Sequence, residues 1–339
     1  MFRILSIDGG GLRGFIPLQI IKDLESRTGK SIHESFDLIA GTSTGGLIAC
    51  GLTYASNGID RSYETDQLIE TYRQKGATIF PPFVSQKSLM SPLADLKRTK
   101  HSSGGLDFVI NEMFGSDHLD KCVTPVLIPA YDIRSSDPLI FTSRVAQQSD
   151  SLKRRNPRIQ DVLRATTAAP TYLPSHSFKS LDGSGASKNI VTAIDGGIFA
   201  NNPSLLAIQE ALGAERSFYP TPARSMKDIA VLSIGTGHHM FDYAKENTAS
   251  WGVFQWGSRI FDLMTYASSQ SVDSIISNTL VKKKHYLRVN IDIDRPEYSE
   301  MDIPAQGCYD YWQKEVNVQL LTNDGYIKDI EDFIASSGL

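Results

Sequence analysis

The chain has 339 residues, 41% of them hydrophobic and 21% charged, with a net charge of −4. That length supports a large buried core, and the charge balance supplies no overall basic field for a nucleic acid polymer. Three scattered cysteines, Cys50, Cys122 and Cys308, argue against a disulfide framework or a zinc site and fit a reducing compartment, the cytoplasm.

The first apolar run, FRILSI (residues 2–7), reads as a buried strand entering a tight DGGG loop. In FIPLQIIKDLESRTG, Phe15, Leu18, Ile21 and Leu24 recur at near-helical spacing. Pro17 is acceptable only in a first helical turn and Gly29 supplies a stop, which brackets the helix. FDLIA (36–40) is a second buried strand and TGGLIACGLTYAS the helix after it. Residues 38–55 carry no charge and imitate a membrane span, but the GTSTGG inside them reads as a turn between strand and helix. Residues 65–78 and 106–114 read as helices, and PVLIPAYDI and PLIFTS as an antiparallel strand pair. RIQDVLRATTAAPTYLP is a helix ended by Pro170. NIVTAI is a strand delivering Asp195-Gly196-Gly197, PSLLAIQEALG a helix, and DIAVLSIGTG a buried strand with a Gly-rich exit. Residues 251–280 are mostly helical, HYLRVNIDI is a late strand, and 309–334 hold two helices. This alternation predicts an α/β fold of three layers, α/β/α, around a mostly parallel central sheet. With no repeat, linker or break, 1–339 is expected to be one domain. Residues 2–237 carry its motifs, and 251–339 are integral to it or packed on it.

The loops DGGG, GTSTGG, DGG and GTG all fall at predicted strand ends, where open parallel sheets bind ligands. Gly9, Gly11 and Gly14 spell G-x-G-x-x-G between a strand and a helix, a pattern that holds dinucleotide pyrophosphate. That use also needs an acid at the end of the second strand, whereas Asp37 stands at its beginning. Gly41-Thr42-Ser43-Thr44-Gly45 is the one G-x-S-x-G in the chain. A serine there sits on a strained turn with its hydroxyl raised above the sheet, between glycines that let strand and helix close around it. The alternative is a polar turn without chemistry.

A serine nucleophile needs a base and an oxyanion hole. Gly9, Gly10 and Gly11 suit the hole, because consecutive glycines let backbone N–H groups turn inward together beside a helix N-terminus. Arg13 either supports that charge or braces the loop. For the base, His238, His239 and His285 lie downstream of Asp195, the chain order of a Ser-Asp-His triad, but none is in a recognisable loop. Asp195 ends a buried strand before Gly196 and Gly197, which exposes a carboxylate at a loop edge. Asp8 has the same Asp-Gly-Gly context but must serve its own loop, so Asp195 is preferred.

DGGGLRG (8–14), GTSTGG (41–46) and DGG (195–197), in that order, resemble the motifs of the patatin-like phospholipase family, as do FDLIAGTSTGG, ATTAAPTYLP and VLSIGTG. The likeness covers residues 2–237. Where many relatives have Asp-Gly-Ala this chain has Asp-Gly-Gly, a change between small residues. The resemblance implies a histidine-free dyad, Ser43 as nucleophile and Asp195 as base, with an oxyanion hole from the first glycine motif and Arg13 nearby. It implies an acyl-enzyme intermediate and calcium-independent hydrolysis of a membrane phospholipid or other acyl lipid, of phospholipase A or lysophospholipase type. No cofactor or metal is implied. The enzyme it describes is cytoplasmic and associates peripherally with membranes. Some bacterial relatives are switched on by cyclic nucleotides, which makes such a nucleotide a candidate activator by analogy alone. A homo-oligomer is a further candidate.

An acyl chain needs an apolar trough. Residues 79–93, with Phe80-Pro81-Pro82-Phe83, Leu89 and Met90, are candidates for it, as core packing or as a mobile lid. Basic clusters at Lys153, Arg154, Arg155 and Arg158, and at Lys282, Lys283 and Lys284, read as solvated faces or as contacts for anionic lipid headgroups.

Overall fold

A computed structural model describes residues 1–56, 61–81, 99–146, 156–179, 190–213, 219, 223, 225–239, 248–257, 259–280 and 283–339. Among these, one mixed sheet holds eight strands: β1 (Phe2–Ile7), β2 (Leu38–Gly41), β3 (Val126–Asp132), β4 (Asp137–Thr142), β5 (His176–Lys179), β6 (Ile190–Asp195), β7 (Ile229–Ile234) and β8 (Tyr286–Val289). The strands β3-β2-β1-β7-β8 run parallel. β4 and β6 both pair antiparallel with β3, and β5 pairs antiparallel with β6. The longer helices are α1 (Phe15–Thr28), α2 (Thr44–Thr53), α3 (Thr65–Ile79), α4 (Gly104–Phe114), α5 (Ile159–Thr166), α6 (Ser204–Gly213), α7 (Ile260–Ile275), α8 (Gln306–Val316) and α9 (Asp324–Ser337).

Alternation along the strands creates the three layers. Leu5, Ile7, Ile39, Ile128 and Leu232 point to one face, where they pack with α1 to α5, α8 and α9. Their neighbours Phe2, Ile4, Leu38, Leu127 and Val231 point to the other, against α6 and α7. Burial on both faces is why these strands are continuously apolar in sequence. α1 carries Pro17 in its first turn and ends at Gly29, whose φ of 65° is left-handed, as its punctuation predicts. The uncharged residues 38–55 are β2, a turn and α2. No helix among the described residues is long and apolar enough to cross a membrane.

Three features depart from expectation. α5 ends at Thr166, short of Pro170, and the Thr166 hydroxyl at its last position contacts β3. β5 is not apparent in the sequence, since HSFK is four residues long with exposed alternate positions. β6 is antiparallel to its sheet neighbour, although its DGG end reads like the exit of a parallel strand.

That reversal positions Asp195. β3 continues well past the end of β2, since Ala40 pairs with Leu127 while β3 runs on to Asp132. β6 pairs with this overhang from the opposite direction, Asp195 opposite Ala130. Its carboxyl end therefore points back toward the turn that follows β2.

The last part of the chain shares the same sheet and core. β8 extends the parallel block beyond β7. On α8, Trp312 is fully buried, and Tyr309 packs edge-on against Phe15 and donates to the Tyr72 carbonyl at 2.8 Å. Of the 79–93 stretch, only Ile79, Phe80 and Pro81 are described, with Ile79 and Phe80 buried. Residues 82–93, Lys153, Arg154, Arg155 and Lys282 lie outside the described residues.

Candidate active site

Ser43 has φ 55° and ψ −120°, a conformation strained for a residue with a Cβ. The turn around it is held by short contacts. Its N–H donates to Thr166 Oγ1 at 2.9 Å, and Thr166 Oγ1 donates to the Pro129 carbonyl at 2.6 Å, so ATTAAP clamps the turn to β3. The Thr42 hydroxyl donates to the Ala200 carbonyl at 2.6 Å. Gly45 abuts the carbonyls of Ile7 and Asp8, where a Cβ would collide with main chain. Gly41, against Gly45, is equally confined.

The DGGG loop lies beside this turn. Thr236 Oγ1, from the GTG exit of β7, donates to the Gly9 carbonyl at 2.7 Å, and Leu12 N donates to the Met301 carbonyl at 2.8 Å. Gly9 does not offer its amide to a ligand, contrary to its expected place in an oxyanion hole. Its N–H donates to the Asn201 carbonyl at 3.2 Å, because the chain that follows the Asp195-Gly196-Gly197 turn passes beside it. The amides of Gly10 and Gly11, and that of Thr44 at the start of α2, have no acceptor among the described residues. Asp8 is engaged by Arg288 of β8, which donates from both terminal nitrogens at 2.9 and 2.6 Å. Bound this way, Asp8 acts as an anchor for the loop.

Asp195 is 1% exposed. Burial pushes its carboxyl up to about 7; hydrogen bonds from the Ser43 hydroxyl and the Gly197 N–H pull the other way. The Gly197 bond is 2.7 Å long and fixes Oδ1 at the Gly196-Gly197 turn. Ser43 and Asp195 are thus brought within interaction range, although 152 positions apart in number, and both line the same cavity.

That cavity is about 500 Å³, walled by Gly9, Gly10, Arg13, Asn201, Thr236 and the inward face of α7, among others. Arg13 donates Nη1 to the Ser299 carbonyl at 2.9 Å and lies near Asp262 and Glu300, so it braces the 299–301 segment against the loop. His238 and His239 also line the cavity. His238 stacks on Tyr266, ring centroids 4.0 Å apart, with Nδ1 3.5 Å from Asp292, and burial lowers its pKa. His239 Nδ1 meets the Ile293 carbonyl at 2.7 Å. His285 is buried and does not line this cavity. On the other side of Ser43 a narrow apolar slot of about 50 Å³ is lined by Leu12, Leu47, Ile79, Phe80, Val109 and Leu173.

Sequence reasoning missed Arg288, Asn201, Thr166 and Thr236. The first is invisible locally, being 280 positions from Asp8; the others sit in or beside quoted motifs as small polar residues with no distinguishing spacing. Arg288→Met should destabilise the fold by about 3–5 kcal/mol, because it strands the buried Asp8 charge. Adding Asp8→Asn should recover much of that loss in urea unfolding at neutral pH.

A strand-turn-helix serine thus stands beside a buried acid on a three-layer α/β sheet. The family model described as Patatin-like phospholipase matches residues 5–208. Patatin-like protein 2 of Oryza sativa subsp. indica is 34% identical over 319 residues, covering 86% of this chain and 77% of its own length. Patatin-like protein 2 of Arabidopsis thaliana is 34% identical over 327 residues, covering 89% and 79%. The crystal structure of VipD from Legionella pneumophila overlaps 94% of this chain and 67% of its own at 11% identity, with a TM-score of 0.37. The chain belongs to the patatin-like phospholipase family. It is accordingly a carboxylic ester hydrolase that acts on acyl lipids.

Proposed function

We propose that the protein hydrolyses phospholipid or lysophospholipid esters without calcium, through a Ser43–Asp195 dyad. The observation that carries this reading is the nearness of the two side chains in a wide cavity that adjoins a narrow apolar slot at Ser43. The slot offers apolar side chains to the first carbons of an acyl chain, and the wider cavity offers charged and polar groups to the leaving group. Arg288, Met301 and α7 wall the cavity, so residues 251–339 belong with the rest of the chain in one functional domain.

In this mechanism Asp195 accepts the Ser43 hydroxyl proton as Oγ bonds to the ester carbonyl carbon. The oxygen of the tetrahedral intermediate accepts from the unpaired amides of Gly10, Gly11 and Thr44. Such donors are each worth a few kcal/mol at about 3 Å. Collapse breaks the bond to the alcohol, which leaves with the proton held by Asp195. Water then attacks the acyl-serine, gives its proton to Asp195, and the free acid departs as Ser43 Oγ is reprotonated. A carboxyl with an ordinary pKa of about 4 is a feeble base at neutral pH. One raised to about 7 is well matched to the task. The histidines have partners of their own, and the reading assigns them no proton transfer.

Phosphatidylcholine vesicles incubated with the purified protein in excess EDTA should release free fatty acid and lysolipid, read by mass spectrometry. Release that appears only when calcium is restored would contradict the metal-free reading. Absence of release from every ester offered, lysolipid included, would contradict hydrolysis itself.

A further inference from the structure

The helix that walls the cavity is turned inside out. α7 is a 16-residue surface helix whose two charged residues, Asp262 and Asp273, both line the cavity with Thr265, Tyr266 and Ser269. Ile260, Met264, Ala267 and Ser271 form the opposite stripe and are exposed, Ile260 by 42% and Met264 by 43%. At about 100° per residue, these four fall on one side of the helix and Asp262, Ser269 and Asp273 on the other. A surface helix ordinarily shows charge to water and hides its apolar stripe. Here the outward stripe has no charge at all.

The start of α7 carries a second, independent signal. Ahead of it, Trp251 and Trp256 are half-buried and pack edge-on at 5.1 Å, with the Arg259 guanidinium 5.2 Å from the Trp251 ring centre. Tryptophan and long basic side chains at the margins of an apolar strip suit the interface between water and lipid, where amphipathic rings and snorkelling cations settle.

We infer that the outward stripe of α7, flanked by Trp251, Trp256 and Arg259, is a membrane-docking surface that lays the cavity wall on a phospholipid bilayer. The occupant is lipid because the same helix walls, on its reverse side, the cavity of a lipid hydrolase; one element then meets the membrane and receives the substrate drawn from it. This rests on the reading of that cavity as the hydrolytic site. Docking and chemistry are read out separately.

The test uses the full chain carrying Ser43→Ala, so that vesicles are not consumed, with and without Ile260→Glu/Met264→Glu. Co-sedimentation with phosphatidylcholine vesicles should weaken tenfold or more in the double variant. In the Ser43 background the same pair of substitutions should reduce hydrolysis of vesicle lipid by a similar factor. Turnover of a soluble short-chain ester should be unchanged, since neither residue lines the cavity. Unaltered vesicle binding by the Glu variant overturns the inference whatever the ester activity. So does a wild-type dimer in sedimentation velocity that the variant converts to monomer with vesicle binding intact, which would make this face a contact between copies. Loss of all ester turnover in the wild type would contradict the hydrolytic reading while leaving the vesicle measurement to decide docking.

Discussion

Asp195→Asn is expected to lower kcat by about 10²- to 10⁴-fold, the range of a positioned general base, while making the folded protein more stable at pH 8. The two effects have one origin. The folded-state carboxyl titrates at about 7 because it is buried, against an unfolded value near 3.8. Below pH 4 both states hold the proton and the group is neutral toward stability. Between pH 4 and 7 the unfolded chain releases it while the folded one keeps it, so stability falls as pH rises, by about 1.4 kcal/mol per unit. Above 7 the cost is constant, on the order of a few kcal/mol. Asparagine carries no charge to bury, and its carbonyl can still accept from Gly197. The melting-temperature advantage of the variant should be largest at pH 8 and fade toward pH 4. In the wild type, kcat/KM should rise about tenfold per pH unit up to about 7 and then level. A variant that is both inactive and less stable at pH 8 would contradict this assignment.

Ser43→Ala is expected to reduce lipid hydrolysis by at least about 10⁴-fold, since residues that act as a unit lose nearly all catalysis when the nucleophile goes. The fold should persist. The Ser43 N–H bond to Thr166 holds the turn and alanine keeps it, so the substitution removes only the hydroxyl that faces Asp195. The strained φ of 55° is equally costly for alanine, so the substitution neither adds nor relieves backbone strain. An unchanged far-UV circular dichroism spectrum and a urea-unfolding free energy within about 2 kcal/mol of wild type, the cost of the lost hydroxyl bond to Asp195, together with the loss of turnover, are the expected pair. Retained turnover would remove Ser43 from the chemistry.

How much of this was readable in the sequence depended on how local each feature is. The turn at Ser43 is local: an apolar strand, two glycines that allow close approach, and an apolar helix dictate its shape together. α1 and its caps are local in the same way. The position of Asp195 was legible as a strand end, yet the reason it meets Ser43 was not, because strand direction in β6 is fixed by pairing with the overhang of β3, 60 and more positions earlier. The amide of Gly9 illustrates the same limit. Its sequence neighbours advertise a free donor, and only the return of the chain at Asn201 shows that it is spent. Arg288 and the cavity face of α7 are wholly non-local. Nothing near Arg288 announces that it neutralises Asp8, and the reversed polarity of α7 looks from sequence like a helix with few charges.

The most direct test of the account is the rate at which a fluorophosphonate labels Ser43, followed by intact-mass spectrometry between pH 5 and 9 in wild type, Asp195→Asn and His238→Ala. The dyad predicts labelling that accelerates to a plateau near pH 7, collapses in Asp195→Asn and is unchanged in His238→Ala. Rapid labelling in Asp195→Asn, or its collapse in His238→Ala, would contradict it.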